Sequence, residues 1–457
     1  MEILILIIFV IGYIAIASEH KIRIDKAATA LITGVLCWTI LVIGAKEIPV
    51  HLLEDFKHLE IISKQTGISL PEFFDHRLLH HLQEIAGILL FLMGAMTIVE
   101  VIDAHEGFRV ITDKITSTNK VKLLWIISIL TFFLSAALDN LTTAIVMVSL
   151  VRKLISDAKT RWFFGGMIVI AANSGGAWSP IGDVTTTMLW IGKQITASGI
   201  VPSIFLPSLI SLLVPLIILS FILKGKIERP QIHNNESMTI SKQERNIAFF
   251  LGIGGLLFVP IFKNVTHLPP FMGIMFALGV VWVTTELMHG KKLNEEKHKF
   301  SALHALRKID MPSVLFFLGI LLAVSALQEV GHLRTLANYL KDTMNNPYAI
   351  NVSIGALSAV VDNVPLVAAS MNMYDISPEI GASTWENYFV QDGIFWHFLA
   401  YCAGTGGSIL IIGSAAGVAV MGLEKIDFIW YVKKITIWAL IGYLAGAGVY
   451  ILEQMFF

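Results

Sequence analysis

The dipeptide Asp-Asn occurs twice inside otherwise apolar sequence, as Asp139-Asn140 and Asp362-Asn363. Each is followed by a second apolar segment that a Gly/Ser/Thr-rich stretch interrupts. After the first pair this runs from Asn173-Ser174-Gly175-Gly176 to Gly182-Asp183, and after the second from Gly404-Thr405-Gly406-Gly407 to Gly413-Ser414. A carboxylate near the middle of a bilayer costs about 2.5–3.5 kcal/mol even on a lenient insertion scale. A chain that accepts this cost twice, in matching places, has a use for it. Hard cations such as Na⁺ and Li⁺ take oxygen ligands: carboxylate, amide, hydroxyl and free carbonyl. The Asp-Asn pairs supply carboxylate and amide, and the first adds Thr142 and Thr143. The interrupted segments add unwound carbonyls with Asn173, Ser174, Asp183, Thr185 and Thr186 in one half, and Thr405, Ser408 and Ser414 in the other. Glycines 175, 176, 406 and 407 let backbone bend and approach closely. Desolvation favours the protonated form of a buried carboxylate, and a bound cation favours the ionised form. One Asp therefore holds either a proton or a metal ion, which is sufficient to couple the movement of one to the other.

In a soluble protein the same Asp and Asn would be read as turn and N-cap residues. Here a neutral Ser or Asn would cap a turn without burying a charge, so capping is expected only as a second duty, of Asn140 and Asn363. Glu100, Asp103 and Glu329 end apolar spans and are expected to reach the interface. His397 is expected to be a packed, hydrogen-bonded histidine rather than a proton relay. The segment 46–81, with His51, His58, His76, His80 and His81, reads as a solvated face rather than a pH sensor.

Composition says what must position these groups. The chain has 457 residues, 55% of them hydrophobic and 15% charged, with a mean hydropathy of +0.72. Soluble domains carry about 25% charged residues, so the fold class is an all-α polytopic membrane protein with the lipid bilayer as its surroundings. A net charge of −1 and the lack of basic runs give no sign of nucleic acid. Cys37 and Cys402 both lie in apolar segments, so neither a disulfide framework nor a metal–thiolate site is expected. No cofactor and no enzymatic chemistry are expected. Residues 3–17 lack a basic n-region and are read as a retained span.

Apolar runs of about 17–25 residues fall near 3–17, 27–45, 82–103, 202–223, 246–262, 269–288, 312–330 and 431–456. Residues 121–150 and 348–373 are apolar on both sides of Asp-Asn, with halves read as too short to cross, and so as re-entrant hairpins. Residues 162–198 and 393–422 are read as broken helices. The pieces repeat: the aspartates are 223 positions apart, and Gly175-Gly176 and Gly406-Gly407 are 231 apart. The chain divides into residues 1–225, a linker at 226–245, and residues 246–457. Each half then holds five spans, one of them broken, and one hairpin. An odd number of crossings turns the second half upside down, giving the two inverted-topology repeats typical of secondary transporters.

Charge tests this layout. The loops 18–26, 104–122, 151–161, 224–245, 289–310 and 423–434 share one side and carry 25 of the 33 Lys and Arg residues; the other side carries 7, and Lys193 lies within a span. By the positive-inside rule the first side is cytoplasmic. Both termini then face the non-cytoplasmic side.

At Ser135-Ala136-Ala137-Leu138-Asp139-Asn140-Leu141-Thr142-Thr143, at Asn173-Ser174-Gly175-Gly176-Ala177-Trp178-Ser179-Pro180-Ile181-Gly182-Asp183, at Val361-Asp362-Asn363-Val364-Pro365 and at Gly404-Thr405-Gly406-Gly407-Ser408, the chain resembles the NhaD-type sodium/proton antiporters of the ion transporter superfamily. The resemblance covers essentially the whole chain. It implies exchange of Na⁺ or Li⁺ for H⁺ at a bacterial inner (plasma) membrane or plastid inner envelope, by a homodimer with an elevator motion. It also implies functional roles for Ser135 and Ser358, alongside Asp139, Asn140, Asn173, Asp183, Thr185, Thr186, Asp362 and Asn363. Three other readings remain open at this point: a dicarboxylate, sulfate or arsenite carrier of the same fold, a passive cation channel, and an intramembrane aspartyl protease.

Overall fold

The structure, a computed structural model, describes residues 2–17, 19–44, 70–228, 240–290, 300–377 and 385–456. Among them the regular structure is helical: α1 (Glu2–Ala17), α2 (Lys26–Gly44), α3 (Leu70–Ala104), α4 (Lys120–Leu138), α5 (Asn140–Leu154), α6 (Ala158–Ala177), α7 (Val184–Ile191), α8 (Ala197–Ile222), α9 (Lys242–Thr266), α10 (Pro270–Met288), α11 (Met311–Glu329), α12 (His332–Met344), α13 (Pro347–Ser358), α14 (Asn363–Met373), α15 (Ile394–Gly406), α16 (Ala415–Glu424) and α17 (Thr436–Phe456). Eight are long and apolar enough to cross a membrane: α2, α3, α4, α8, α9, α10, α11 and α17. The chain is a multi-pass membrane protein. Its surface agrees, since Ile3, Ile43, Phe221, Val265, Leu287 and Phe456 are all more than 70% exposed, as lipid-facing side chains must be.

Three expectations about the elements need correction. The third span is not confined to 82–103, because α3 begins at Leu70 and carries His76, His80 and His81 on helix; His51 and His58 lie outside the described residues. The first arm of the Asp139 hairpin is not too short to cross. At 19 residues, α4 is about 28 Å long, close to the thickness of a hydrocarbon core. The span after the first broken segment starts at Ala197, so residues 197 and 198 belong to α8 rather than to that segment.

Length alone therefore does not distinguish the arms of such a pair from spans, but contacts show what the ends of each pair meet. The backbone of Thr118 and Lys120, at the start of α4, bonds to Ile227 and Gly225, and Ser156, just past α5, bonds to Glu228. Both ends of the α4–α5 pair thus hold one strap, 225–228, while Asp139 lies at the turn between the helices. In the second pair, Asn351 of α13 donates to the Phe395 carbonyl at 3.0 Å, and the Tyr374 ring after α14 packs on the Phe395 ring with centroids 4.9 Å apart. Both of its ends meet the start of α15.

Ion pairs gather the loops at two ends of the bundle. At one end Arg245 pairs with Asp113 at 3.1 Å, Lys308 with Glu100 at 3.0 Å, and Arg152 and Arg161 both hold the buried Glu424, at 2.7 and 2.8 Å. His105 meets His289 there across 2.9 Å. These loops carry most of the Lys and Arg. At the other end His332 bonds to the Glu2 carbonyl, and Thr196 donates its N–H and hydroxyl to Asp392, each at 2.7 Å. His397 adds a third bond to Asp392 at 3.1 Å. Burial works against the Asp392 charge, but these donors outweigh it and hold the carboxyl below its ordinary range.

Each hairpin is pressed against its broken helix. Ser135 Oγ donates to the Ala172 carbonyl at 2.6 Å, and Ser358 Oγ to the Ala403 carbonyl at 2.8 Å. A Cβ at Gly175 would strike the Phe132 carbonyl, and one at Gly406 the Gly355 carbonyl. Gly176 and Gly407 touch Gly182 and Gly413 in the same matched fashion. Overpacking such a contact costs about 1–3 kcal/mol. Gly175→Ala and Gly406→Ala are each expected to lower the unfolding temperature in detergent, whereas Gly279→Ala, with open space around it, should not. Equal behaviour of the three variants would refute the close backbone packing.

Candidate functional site

Asp139 ends α4 and caps α5 with φ 82° and ψ 159°. That backbone region is essentially reserved for glycine and costs about 1–3 kcal/mol for another residue. Its carboxylate is occupied locally: Oδ1 accepts from the Thr142 N–H and Oδ2 from the Thr142 hydroxyl, both at 2.8 Å. Asp362 likewise caps α14, more loosely, accepting from the Val364 N–H at 3.4 Å. Its other oxygen takes the Lys26 ammonium at 3.1 Å, and that ammonium lies 4.4 Å above the Phe316 ring. Capping thus falls to the aspartates and not, as the sequence suggested, to Asn140 and Asn363.

The two asparagines instead reach across the tips to Asp183. Asn140 Nδ2 lies 3.1 Å and Asn363 Nδ2 3.2 Å from the same Asp183 oxygen, Oδ2. The other oxygen accepts from the Thr185 N–H at 3.3 Å, because Asp183 is the N-cap of α7, in a capping box with Thr186. Asp183 is 2% exposed. These donors are neutral amides and a helix N-terminus, with a partial positive charge at most. An ionised carboxylate so deeply buried needs a full positive charge or a proton.

Asn173 extends the network into the second half. It accepts from Asn140 at 3.0 Å and donates to Ser408 Oγ at 3.0 Å and Ser414 Oγ at 2.9 Å. Six residues named from sequence therefore form one chain of contacts: Ser408 and Ser414 to Asn173, Asn173 to Asn140, and both tip asparagines to Asp183. Other named residues stand aside. The hydroxyls of Ser174 and Thr405 bond to carbonyls of their own helices, Ile170 and Tyr401. Thr143 Oγ1 is buried without a partner. One cavity is lined by Asp139, Asn140, Asp183, Asp362 and Asn363, and also by Phe91 and Phe317.

Sequence reading missed Lys26. A lysine opening an apolar span reads as an interface anchor, and nothing in its neighbourhood distinguishes it. A second cavity, lined by Tyr13, Glu19, Lys26 and Asp362, also reaches Asp362. Glu329 pairs with Arg77 and His81 instead of facing these cavities.

The citrate transporter family, CitMHS, matches residues 5–388. The chain is 45% identical to sodium/proton antiporter 1 of Arabidopsis thaliana over 97% of its own length and 71% of that protein. It is 43% identical to sodium/proton antiporter 2 of the same plant over 98% of its length and 99% of that protein. The Na(+)/H(+) antiporter NhaD of Alkalimonas amylolytica is 28% identical over 97% of the chain and 89% of that protein.

Asp139→Gly removes the strained side chain while leaving a cap that glycine replaces at a cost of only a few tenths of a kcal/mol. Its unfolding free energy is expected to be no lower than that of the native chain and up to about 1–2 kcal/mol higher. Chemical denaturation in detergent checks this, and a clear loss of stability would mean that the turn at Asp139 is not strained.

Proposed function

The chain belongs to the citrate transporter family and, within it, to the NhaD-type sodium/proton antiporters, and from that premise we propose that it exchanges Na⁺ and Li⁺ for H⁺ at the junction of two hairpin tips and two broken helices. The observation that carries the reading is the buried Asp183 carboxylate, met from both tips by neutral amides. A proton or an alkali ion completes it, and the two exclude each other. Asn140, Asn173 and Asn363 offer amide oxygens, Thr142, Thr143, Thr185 and Ser408 offer hydroxyls, and Asp139 adds a second carboxylate from the same cavity. Asp362 is already balanced by Lys26, so a cation arriving there competes with an ammonium.

Contacts also support the arrangement behind the exchange. The ends of the α4–α5 pair meet the basic end of the bundle, and those of the α13–α14 pair meet the opposite end. We read the pairs as re-entrant hairpins of two inverted repeats, with the basic end cytoplasmic. The matched contacts of Ser135 with Ala172 and of Ser358 with Ala403, offset by the same 223 and 231 positions, support the repeat. Each hairpin and its broken helix move as a unit past the remaining spans, an elevator motion, in a homodimer at a bacterial inner membrane or plastid inner envelope.

The family's description favours one competing reading, an anion carrier. Against it, the central cavity is lined by three aspartates and by no Lys or Arg. A polyanion there would meet repulsion rather than the Arg residues or free helix N-termini that anion sites use. In everted vesicles without added anion, Na⁺ is expected to drive proton movement. Asp183→Asn, Asp139→Asn and Asp362→Asn are each expected to abolish it at normal expression. Apparent Na⁺ affinity should rise with pH between about 6 and 9, by up to tenfold per unit while the site is mostly protonated. Sodium-independent proton movement, unchanged activity of Asp183→Asn, or a flat pH dependence would each overturn the shared site.

A further inference from the structure

Away from this site, α3 carries His80, His81 and Glu84 at its basic-poor end. Residues i and i+4 of a helix share a face, and i+3 lies beside them, so Glu84 sits between the two histidines. One nitrogen of each imidazole and one Glu84 oxygen all lie within 4.8 Å of one another. His80 Nδ1 and His81 Nδ1 are each 4.0 Å from a Glu84 oxygen. His80 and Glu84 are exposed, with side chains 58% and 65% accessible, while His81 is 7% accessible. An exposed His–Glu pair on a helix would by itself be ordinary surface.

The buried side of His81 makes the difference. Its Nε2 lies 2.8 Å from Glu329 Oε1, and Glu329 is gripped by Arg77 through three contacts of 2.7–3.1 Å. A carboxylate so paired is an acceptor, so Nε2 carries the hydrogen and Nδ1 presents its lone pair toward Glu84. Two acceptors then face each other at 4.0 Å, too far apart for a direct N–H···O bond. A cation between them resolves this. An imidazole that donates one N–H to a carboxylate and turns its other nitrogen outward is the usual posture of a metal-ligating histidine.

We propose that His80 Nδ1, His81 Nδ1 and the Glu84 carboxylate form a binding site for a divalent transition-metal ion, with Glu329 orienting His81 and water completing the coordination. Two nitrogens and one oxygen suit Zn²⁺ or Co²⁺, and not the all-oxygen preference of Mg²⁺ or Ca²⁺. At metal–ligand distances of about 2.0–2.2 Å, ligand atoms in a tetrahedral site are about 3.3–3.6 Å apart. The exposed side chains of His80 and Glu84 close the remaining gap by rotation. The site opens onto a cavity lined by Arg77, Lys193, Met371 and Asn372, which gives an ion a path from solvent. It stands independently of the proposed exchange.

The test uses the full-length chain purified in detergent. Zn²⁺ titrated calorimetrically is expected to bind one ion per chain in the micromolar range, and Co²⁺ to give the intense visible absorption of tetrahedral coordination. His80→Ala and Glu84→Gln, both at exposed positions that spare the fold, should each weaken binding about tenfold or more. Glu329→Gln should weaken it too, with circular dichroism checking that the helices persist. Saturable binding unchanged in both His80→Ala and Glu84→Gln, or no saturable binding in the native chain, would overturn the site.

Discussion

The proposed site depends on one carboxylate that is kept from water and met by neutral donors alone. Asp183 has two side-chain amides, one backbone N–H and the end of an eight-residue helix as its partners. Hydrogen bonds to neutral donors soften the cost of a buried anion, but they do not cancel it. On the function proposed here, one mobile positive charge, a proton or an alkali ion, completes the site, and concentration on either side chooses between them. On that reading, a lysine or arginine beside Asp183 would satisfy the charge permanently and end the exchange.

Asp362 illustrates that alternative within the same chain. Lys26, from a helix outside the hairpins, supplies its charge at 3.1 Å. On the repeat reading proposed above, the two halves differ at matched positions. Positions related by 231 carry Asn173 and Asp183 in the first broken helix but Gly404 and Ser414 in the second. The first half holds the acid at the crossing, and the second offers hydroxyls and free space toward it. A Cβ at Gly404 would lie 3.6 Å from Asp183 Oδ2, so the second half comes within contact distance without adding another charge.

Much of this was legible in the residues. Apolar runs located the spans because lipid leaves little choice of composition, and the Asp-Asn tips and glycine-rich breaks stood out against that background. The roles within the tips were not legible. The residues alone assigned the ion to Asp and Asn alike, with capping as a second duty of the asparagines; in the structure the aspartates cap their helices, and the asparagines cross to Asp183. An N-cap preference is shared by Asp and Asn, so composition could not say which of two neighbours would turn inward. Lys26 was hidden for a different reason. Its partner is 336 positions away, and a lysine at a span end is ordinary in any membrane protein. The helical extension of α3 to Leu70 was masked by its charged residues, which break an apolar run without breaking a helix.

The glycine contacts constrain how such a site could change sides. Gly175 against Phe132 and Gly406 against Gly355 bring backbone onto backbone, with no side chain between to yield. Close-packed interiors resist sliding at such contacts, so each hairpin and its broken helix are expected to keep their relation during any movement. The Lys26–Asp362 pair crosses from one of these units to a neighbouring span, and it is electrostatic rather than interlocked. An ion pair can part and re-form where a backbone contact cannot. In the elevator motion proposed above, a movement that leaves Asp183 and its two asparagines together but separates Asp362 from Lys26 would carry a bound ion with its ligands intact. The charge left on Asp362 by that separation would then need a cation of its own.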